Sequence, residues 1–423
     1  MRGRAGARLK TKRRALFLGL SACVLSAAAA GALEDLDLAI GRALFRRAWA
    51  PAPASTRADD GLGPLFDARS CASCHPGTGR AAARFDDARE IEGRGVVLMI
   101  GRADGSGDPV YGHRLQIDAA PGISPEGVVG AQDEALPDGR RLRKPLALRL
   151  GYGPLDPESG LSLRVAPDAR GRGRLDAVSD ETILSIEAEQ KRAGGPVAGA
   201  ARRVTLSDGT VTIGRYGWKA AQPSLAEQTA DAFSIDLGLS TALRPDPYGD
   251  CTARETACRA APRGGGASKP EGVEISQAIF SRVVAFLAAT PVPMASPSPS
   301  PSPVRGARLF GDAGCAQCHR PELPTGDGGS ARLYTDVLLH DMGEGLADTM
   351  PEPGASARQW RTAPLAGLSD ALARDTGLLH DGRARDVKEA VEWHAGEAEA
   401  SAKRFGALSA SQKAALLSYV SGL

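Results

Sequence analysis

Two Cys-x-x-Cys-His pentapeptides constrain this chain more than any other feature: Cys71-Ala72-Ser73-Cys74-His75 and Cys315-Ala316-Gln317-Cys318-His319. With only seven cysteines and six histidines in 423 residues, two such motifs are far from a chance pattern. The spacing has a chemical reason. Two thiols three residues apart on one helical turn reach both vinyl groups of a single haem, and the imidazole that follows faces its iron. Zinc knuckles and redox dithiols share the Cys spacing, but neither calls for a His directly after the second Cys in both copies. The motifs predict two covalently bound c-type haems, attached through Cys71, Cys74, Cys315 and Cys318, with His75 and His319 as iron ligands.

The formal charge of +2 is misleading, because seven Lys and Arg and no acid fall in residues 1–30. Without them, 45 basic residues face 50 acidic ones, which removes the basis for a nucleic-acid-binding reading. The basic start leads into ALFLGLSACVLSAAAAGA, too short and Ala-rich for a membrane span and ending in small residues. Residues 1–32 are therefore expected to be a signal peptide and the protein periplasmic. Leu20-Ser21-Ala22-Cys23 also has the form of a lipobox, so membrane attachment would follow only from lipidation at Cys23. The remaining pair, Cys251 and Cys258, sits in a polar loop. An oxidising compartment favours a disulfide there, with a free dithiol as the alternative.

The sequence divides at PVPMASPSPSPSPV (291–304), a Pro/Ser segment expected to be extended at about 3.1 Å per residue. Each half ends in an amphipathic helix, 273–290 and 408–423, with apolar residues at three- and four-residue steps. Leu65-Phe66 precedes Cys71 by the same spacing with which Leu309-Phe310 precedes Cys315. These frames predict a mainly α chain of two cytochrome c-like haem domains, 33–290 and 305–423. The first holds a large β-containing insertion at about 95–215, where short apolar runs alternate with Gly, Pro and Asp turns.

At this point the chain resembles the bacterial di-haem oxidoreductases, relatives of the di-haem cytochrome c peroxidases. DGLGPLFDARSCASCHP (60–76), IGRYGWKAAQPSLAEQTADAFSIDLGLS (213–240), YTDVLLHDMG (334–343) and WRTAPLAGLSDALARDTGLLHDGRARDVKEAVEWHAGEA (360–398) carry the likeness. In the peroxidases a Met ligand to the second haem follows the EAV stretch; His394 stands there, implying His319/His394 ligation and a lower potential than with Met. The likeness also implies that Trp218 relays electrons between the haems and that Gln228 and Asp236 line the open face of the first. This sequence departs from the pattern in having Asp for Glu, Ala232 for Pro, and a Gln-to-acid spacing two residues shorter. His340 matches a haem-pocket position, and His380, before Asp-Gly, is expected to anchor a turn or a propionate.

The resemblance thus implies an exported peroxidase-like oxidoreductase in which electrons enter at the second haem and hydrogen peroxide is reduced at the first. The electrons would come from a small donor protein or an oxidisable substrate. Two competitors differ in class. An electron-transfer cytochrome needs a sixth ligand on the first haem, from His113 or Met99; a di-haem oxidase of a partner protein or organic substrate would draw electrons through Trp218.

Overall fold

A computed structural model describes residues 33–56, 60–264, 269, 271–292 and 303–423; the segment expected to be a signal peptide, with Cys23, and most of the Pro/Ser segment lie outside the described residues. Two helix crossings organise it. Residues 33–46 form a helix that crosses Gln277–Ala289. The second of these starts where the Ser276 hydroxyl accepts the Ile279 N–H, and it buries Phe280, Val283 and Leu287 at helical spacing. The crossing is close because Gly41 has no side chain: a Cβ there would stand 2.1 Å from the Arg282 carbonyl oxygen. The other pair is Pro303–Asp312 against Ala410–Ser421, the latter begun by a reciprocal Ser409–Gln412 capping box. Here a Cβ on Gly306 would stand 2.4 Å from that of Tyr419.

The two glycines correct the expected repeat. Leu65-Phe66 is a short strand paired with Asp118–Ala119, whereas Leu309-Phe310 lies in a helix. The spatial counterpart of Gly306-Ala307-Arg308-Leu309-Phe310 is Gly41-Arg42-Ala43-Leu44-Phe45, with Leu44, Phe45, Leu309 and Phe310 all buried. The matching Leu-Phe spacing before each Cys is a coincidence of sequence.

The expectation of a mainly α chain is also corrected: 32% is helix and 19% strand. Strands pair two by two. Val96–Gly101 lies antiparallel to Gly160–Val165, and Val128–Ala135 to Arg141–Leu148 around a turn with Gly139 at φ 85°. Leu98, Ile100, Val129, Leu163 and Val165 face one core with Tyr111 and Leu115. Within the stretch read as β there is also a 14-residue helix, Asp180–Ala193, capped by Ser179. Its Ile183 and Ile186 join the core of Leu44, Phe45 and Phe280, which also takes in Leu333, Val337 and Leu338 from beyond the Pro/Ser segment. Cys251 and Cys258 are bonded as a disulfide.

The crossings give a paired test. Gly306→Ala should destabilise the haem-loaded protein by about 1–3 kcal/mol through overpacking. Gly311→Ala, on the same helix but facing open space, should be neutral or stabilise by about 0.5–1 kcal/mol. Urea unfolding of the two variants checks the contrast, and equal effects would place the crossing elsewhere.

Candidate functional site

At the second motif, Gly314 turns the chain at φ 86° into the short helical turn Cys315–Gln317, and His319 follows with its N–H on the Cys315 carbonyl. The His319 ring donates from Nδ1 to the Tyr334 carbonyl at 3.1 Å. His394 sits just past the helix Val387–Glu392, which begins at the Asp386 cap, and donates from Nδ1 to the Ala390 carbonyl at 2.7 Å. A carbonyl only accepts, so Nδ1 carries the proton in both rings and Nε2 keeps its lone pair. The two rings face each other with centroids 6.4 Å apart. Nitrogen-to-metal distances of about 2.0–2.1 Å, plus the ring itself, require a separation of about 6 Å for two imidazoles on one ion. Burial, then the neighbouring His394, push His319 down to about 4, and burial also lowers His394. Both rings are thus neutral, as metal ligation demands.

The first motif begins where the Ser70 hydroxyl accepts the Ser73 N–H and caps Cys71–Cys74. His75 donates from Nδ1 to the Pro167 carbonyl at 2.9 Å, the same arrangement as at the second motif. Burial holds the Cys71 and Cys74 thiols up at about 12 and Cys315 at about 11, the opposite of what a redox dithiol needs. Unlike His319, His75 meets no second imidazole among the described residues; its ring neighbour is Phe45 at 6.5 Å.

A charged cluster lies beside this motif instead. Arg114 pairs with Asp236, approaches Asp231 at 3.8 Å, and donates from Nε to the Met99 sulfur at 3.3 Å. The helix Leu225–Asp231 passes into a π-helical turn, Ala232–Asp236, which delivers Asp236 to this guanidinium. Asp67 is 2% exposed, has neither carboxyl oxygen hydrogen-bonded, and is pushed up to about 7 by burial against the pull of Arg114 and Arg94. The Cys74 sulfur feels the charges of Asp67, Arg94 and Arg114, which ties the cluster to the first motif. Arg114 and Asp67 were missed in the sequence: Arg114 stands beside the more conspicuous His113, and nothing local marks either one.

The remaining predicted residues distribute as follows. Trp218 donates from Nε1 to the Val165 carbonyl at 2.8 Å and accepts the Arg361 N–H at 2.9 Å, so segments from both sides of the Pro/Ser stretch hold it. Gln228 lies near Gly217, next to Trp218, and on the same helical face as Asp231. His113 turns to Asp250 at 3.0 Å and is half exposed. His340 is buried between Asp336 at 2.9 Å and Glu397 at 2.8 Å, with the Cys318 sulfur 3.8 Å away. Burial opposes its charge, but these hydrogen bonds hold the imidazolium well above the usual range. His380 is stacked on Trp360 at 3.7 Å and pushed down to about 3 by burial, so its ring packs in the core.

A family model described as "Di-haem oxidoreductase, putative peroxidase" matches residues 157–423, more than half of the chain. The match takes in Trp218, Gln228, Asp236, the second Cys-x-x-Cys-His motif and His394; the first motif precedes it. No curated protein matches. Among solved structures, a MauG-like protein associated with microbial copper homeostasis is similar at 16% identity over 58% of this chain and 89% of that one, with a TM-score of 0.28. Hydrazine synthase of Kuenenia stuttgartiensis is similar at 16% identity over 42% of this chain, with a TM-score of 0.26; the chain spans 63% of its length. Likenesses this distant carry no weight beside the family match. The chain belongs to the di-haem oxidoreductase family.

Proposed function

We propose that this chain is an exported, periplasmic peroxidase-like oxidoreductase with two covalent c-type haems, each framed by one of the glycine-crossed helix pairs as a cytochrome c-like domain. The observation that carries the proposal is the asymmetry between the motifs. The His319 and His394 ring centroids are 6.4 Å apart, whereas among the described residues His75 has no second imidazole near it and a charged cluster beside it. One iron would be closed by two histidines and the other left open to a small oxidant.

Cys71, Cys74 and His75, and Cys315, Cys318 and His319 with His394, would hold the haems, which would supply the redox couple for reducing the oxidant. The protein supplies the rest. Hydrogen peroxide takes two electrons and two protons to give two water molecules. Asp236, paired with Arg114, is placed to take the proton from one peroxide oxygen and return it to the departing one. The Arg114 guanidinium offers positive charge where the oxygens gain negative charge. Gln228 orients the oxidant from the same helical face as Asp231.

Trp218 is the electron relay between the lobes. Its Nε1–H is bound to a carbonyl, with no carboxylate to accept the proton, so passing an electron requires no coupled deprotonation there. The electrons are proposed to enter at the His319/His394 side from a small donor protein or an oxidisable substrate. A plain electron carrier is disfavoured by the geometry: Met99 is the acceptor of Arg114 and His113 the partner of Asp250, so both candidate sixth ligands are engaged.

Two substitutions test the assignment. His394→Ala should convert one ferric haem from low spin to high spin in the electron paramagnetic resonance spectrum; a retained low-spin signal would remove His394 as a ligand. Asp236→Asn should keep both haems and lower peroxide turnover by about 10²-fold or more. A wild-type rate would dismiss Asp236 as the proton carrier.

A further inference from the structure

Three guanidinium groups lie around the Tyr216–Trp218 segment, and among the described residues none of them is ion-paired with a carboxylate. Arg80, 7% exposed, lies 5.3 Å over the Trp218 ring and donates to the Gly377 and Leu379 carbonyls. Arg361, also 7% exposed, donates from Nε to the Gly217 carbonyl at 2.8 Å and from Nη1 to that of Thr362 at 3.2 Å. Arg172 donates from Nε to the Asp168 carbonyl at 3.1 Å and from Nη2 to that of Ala366 at 3.2 Å. Its Nη1 is buried with no partner.

The fold treats its other buried cations differently. Arg164 and Arg202 share Glu352, Lys219 meets Asp348, and Arg383 meets Asp381. Carbonyls accept hydrogen bonds from Arg80, Arg172 and Arg361, while carboxylates act on them only without ion-pair contact: Asp381 and Asp168 on Arg80, Asp168 on Arg172 and Asp336 on Arg361. A protein interior tolerates such loosely compensated charge poorly. Asp168, whose carbonyl accepts from Arg172, commits its carboxylate to Arg170. Burial lowers all three arginines to about 10, and the charge of Arg172 pushes Arg361 down further. Arg172 and Arg361 come from opposite sides of the Pro/Ser segment and meet beside Tyr216, whose hydroxyl donates to the Arg172 carbonyl at 2.9 Å.

We propose that Arg172 and Arg361 form a carboxylate clamp between segments from the two sides of the Pro/Ser stretch, binding a haem propionate through Arg172 Nη1 and the Arg361 guanidinium. Arg80 adds to the positive field around the relay. The inference rests on the two-haem reading and goes beyond it in naming what anchors the propionate. A planar guanidinium fork suits a carboxylate, and each haem brings two. The clamp also couples the lobes, because its halves come from different parts of the chain.

The test uses the haem-loaded protein. A pyridine haemochrome assay first counts haems; fewer than two in the wild type would defeat the underlying reading rather than the clamp. With two haems present, Arg361→Gln and Arg172→Gln should each lower the midpoint potential of one haem, since losing a nearby cation favours the ferric state. Lysine at either position should restore most of the potential. Resonance Raman spectra of Arg361→Lys and Arg172→Lys should show a shifted propionate-bending mode, a readout that remains if the Gln variants fail to accumulate. Unchanged Raman modes in both Lys variants, or unchanged potentials in Gln variants that retain both haems, would overturn the clamp. So would wild-type potentials that move with added acetate or phosphate, which would identify the anion as one from solution.

Discussion

An imidazole can bind a metal only if its proton sits on the other nitrogen, and that constraint governs the site. His75, His319 and His394 all meet it in one way, by giving Nδ1–H to a backbone carbonyl, of Pro167, Tyr334 and Ala390 respectively. A carbonyl cannot be titrated away, so the tautomer is set by the path of the chain and not by pH. Much of the local architecture places those carbonyls. Pro167 follows the strand Gly160–Val165, and Ala390 lies in the helix begun by Asp386. Trp393, stacked between Arg140 and Arg383, fixes the end of that helix where His394 emerges.

The two motifs then diverge in what surrounds each imidazole. The second has the neutral His394 ring 6.4 Å from that of His319, while the first has Arg114, Asp231, Asp236 and Asp67 near Cys74. Neutral ligands on one side and a charged, proton-bearing cluster on the other divide electron storage from oxidant chemistry under the proposed function. Trp218 is tied by hydrogen bonds to Val165 and Arg361, so the residue proposed as the relay is held by contacts from both sides of the Pro/Ser segment.

The chemistry was more legible in the sequence than the fold. Cys-x-x-Cys-His is readable because the attachment chemistry it implies demands that spacing, and His394 stands out by its place after a resembling stretch. Gly41 and Gly306 went unnoticed because close helix crossing is a property of pairs, and only the partner helices reveal that a side chain is forbidden. The Leu-Phe repeat misled for a related reason: local spacing does not tell a strand from a helix end. Helix Asp180–Ala193 was passed over among strong β signals, although its Ile183 and Ile186 help close the largest core. Arg114 and Asp236 are 122 positions apart in the chain, and nothing local in either segment announces the other.

The central claim is that one iron is closed by two histidines while the other is open. Electron paramagnetic resonance of the as-isolated and half-reduced protein tests it most directly. The account predicts a high-spin ferric signal beside a low-spin bis-histidine signal. Two low-spin haems in both states would contradict it and make the protein an electron carrier.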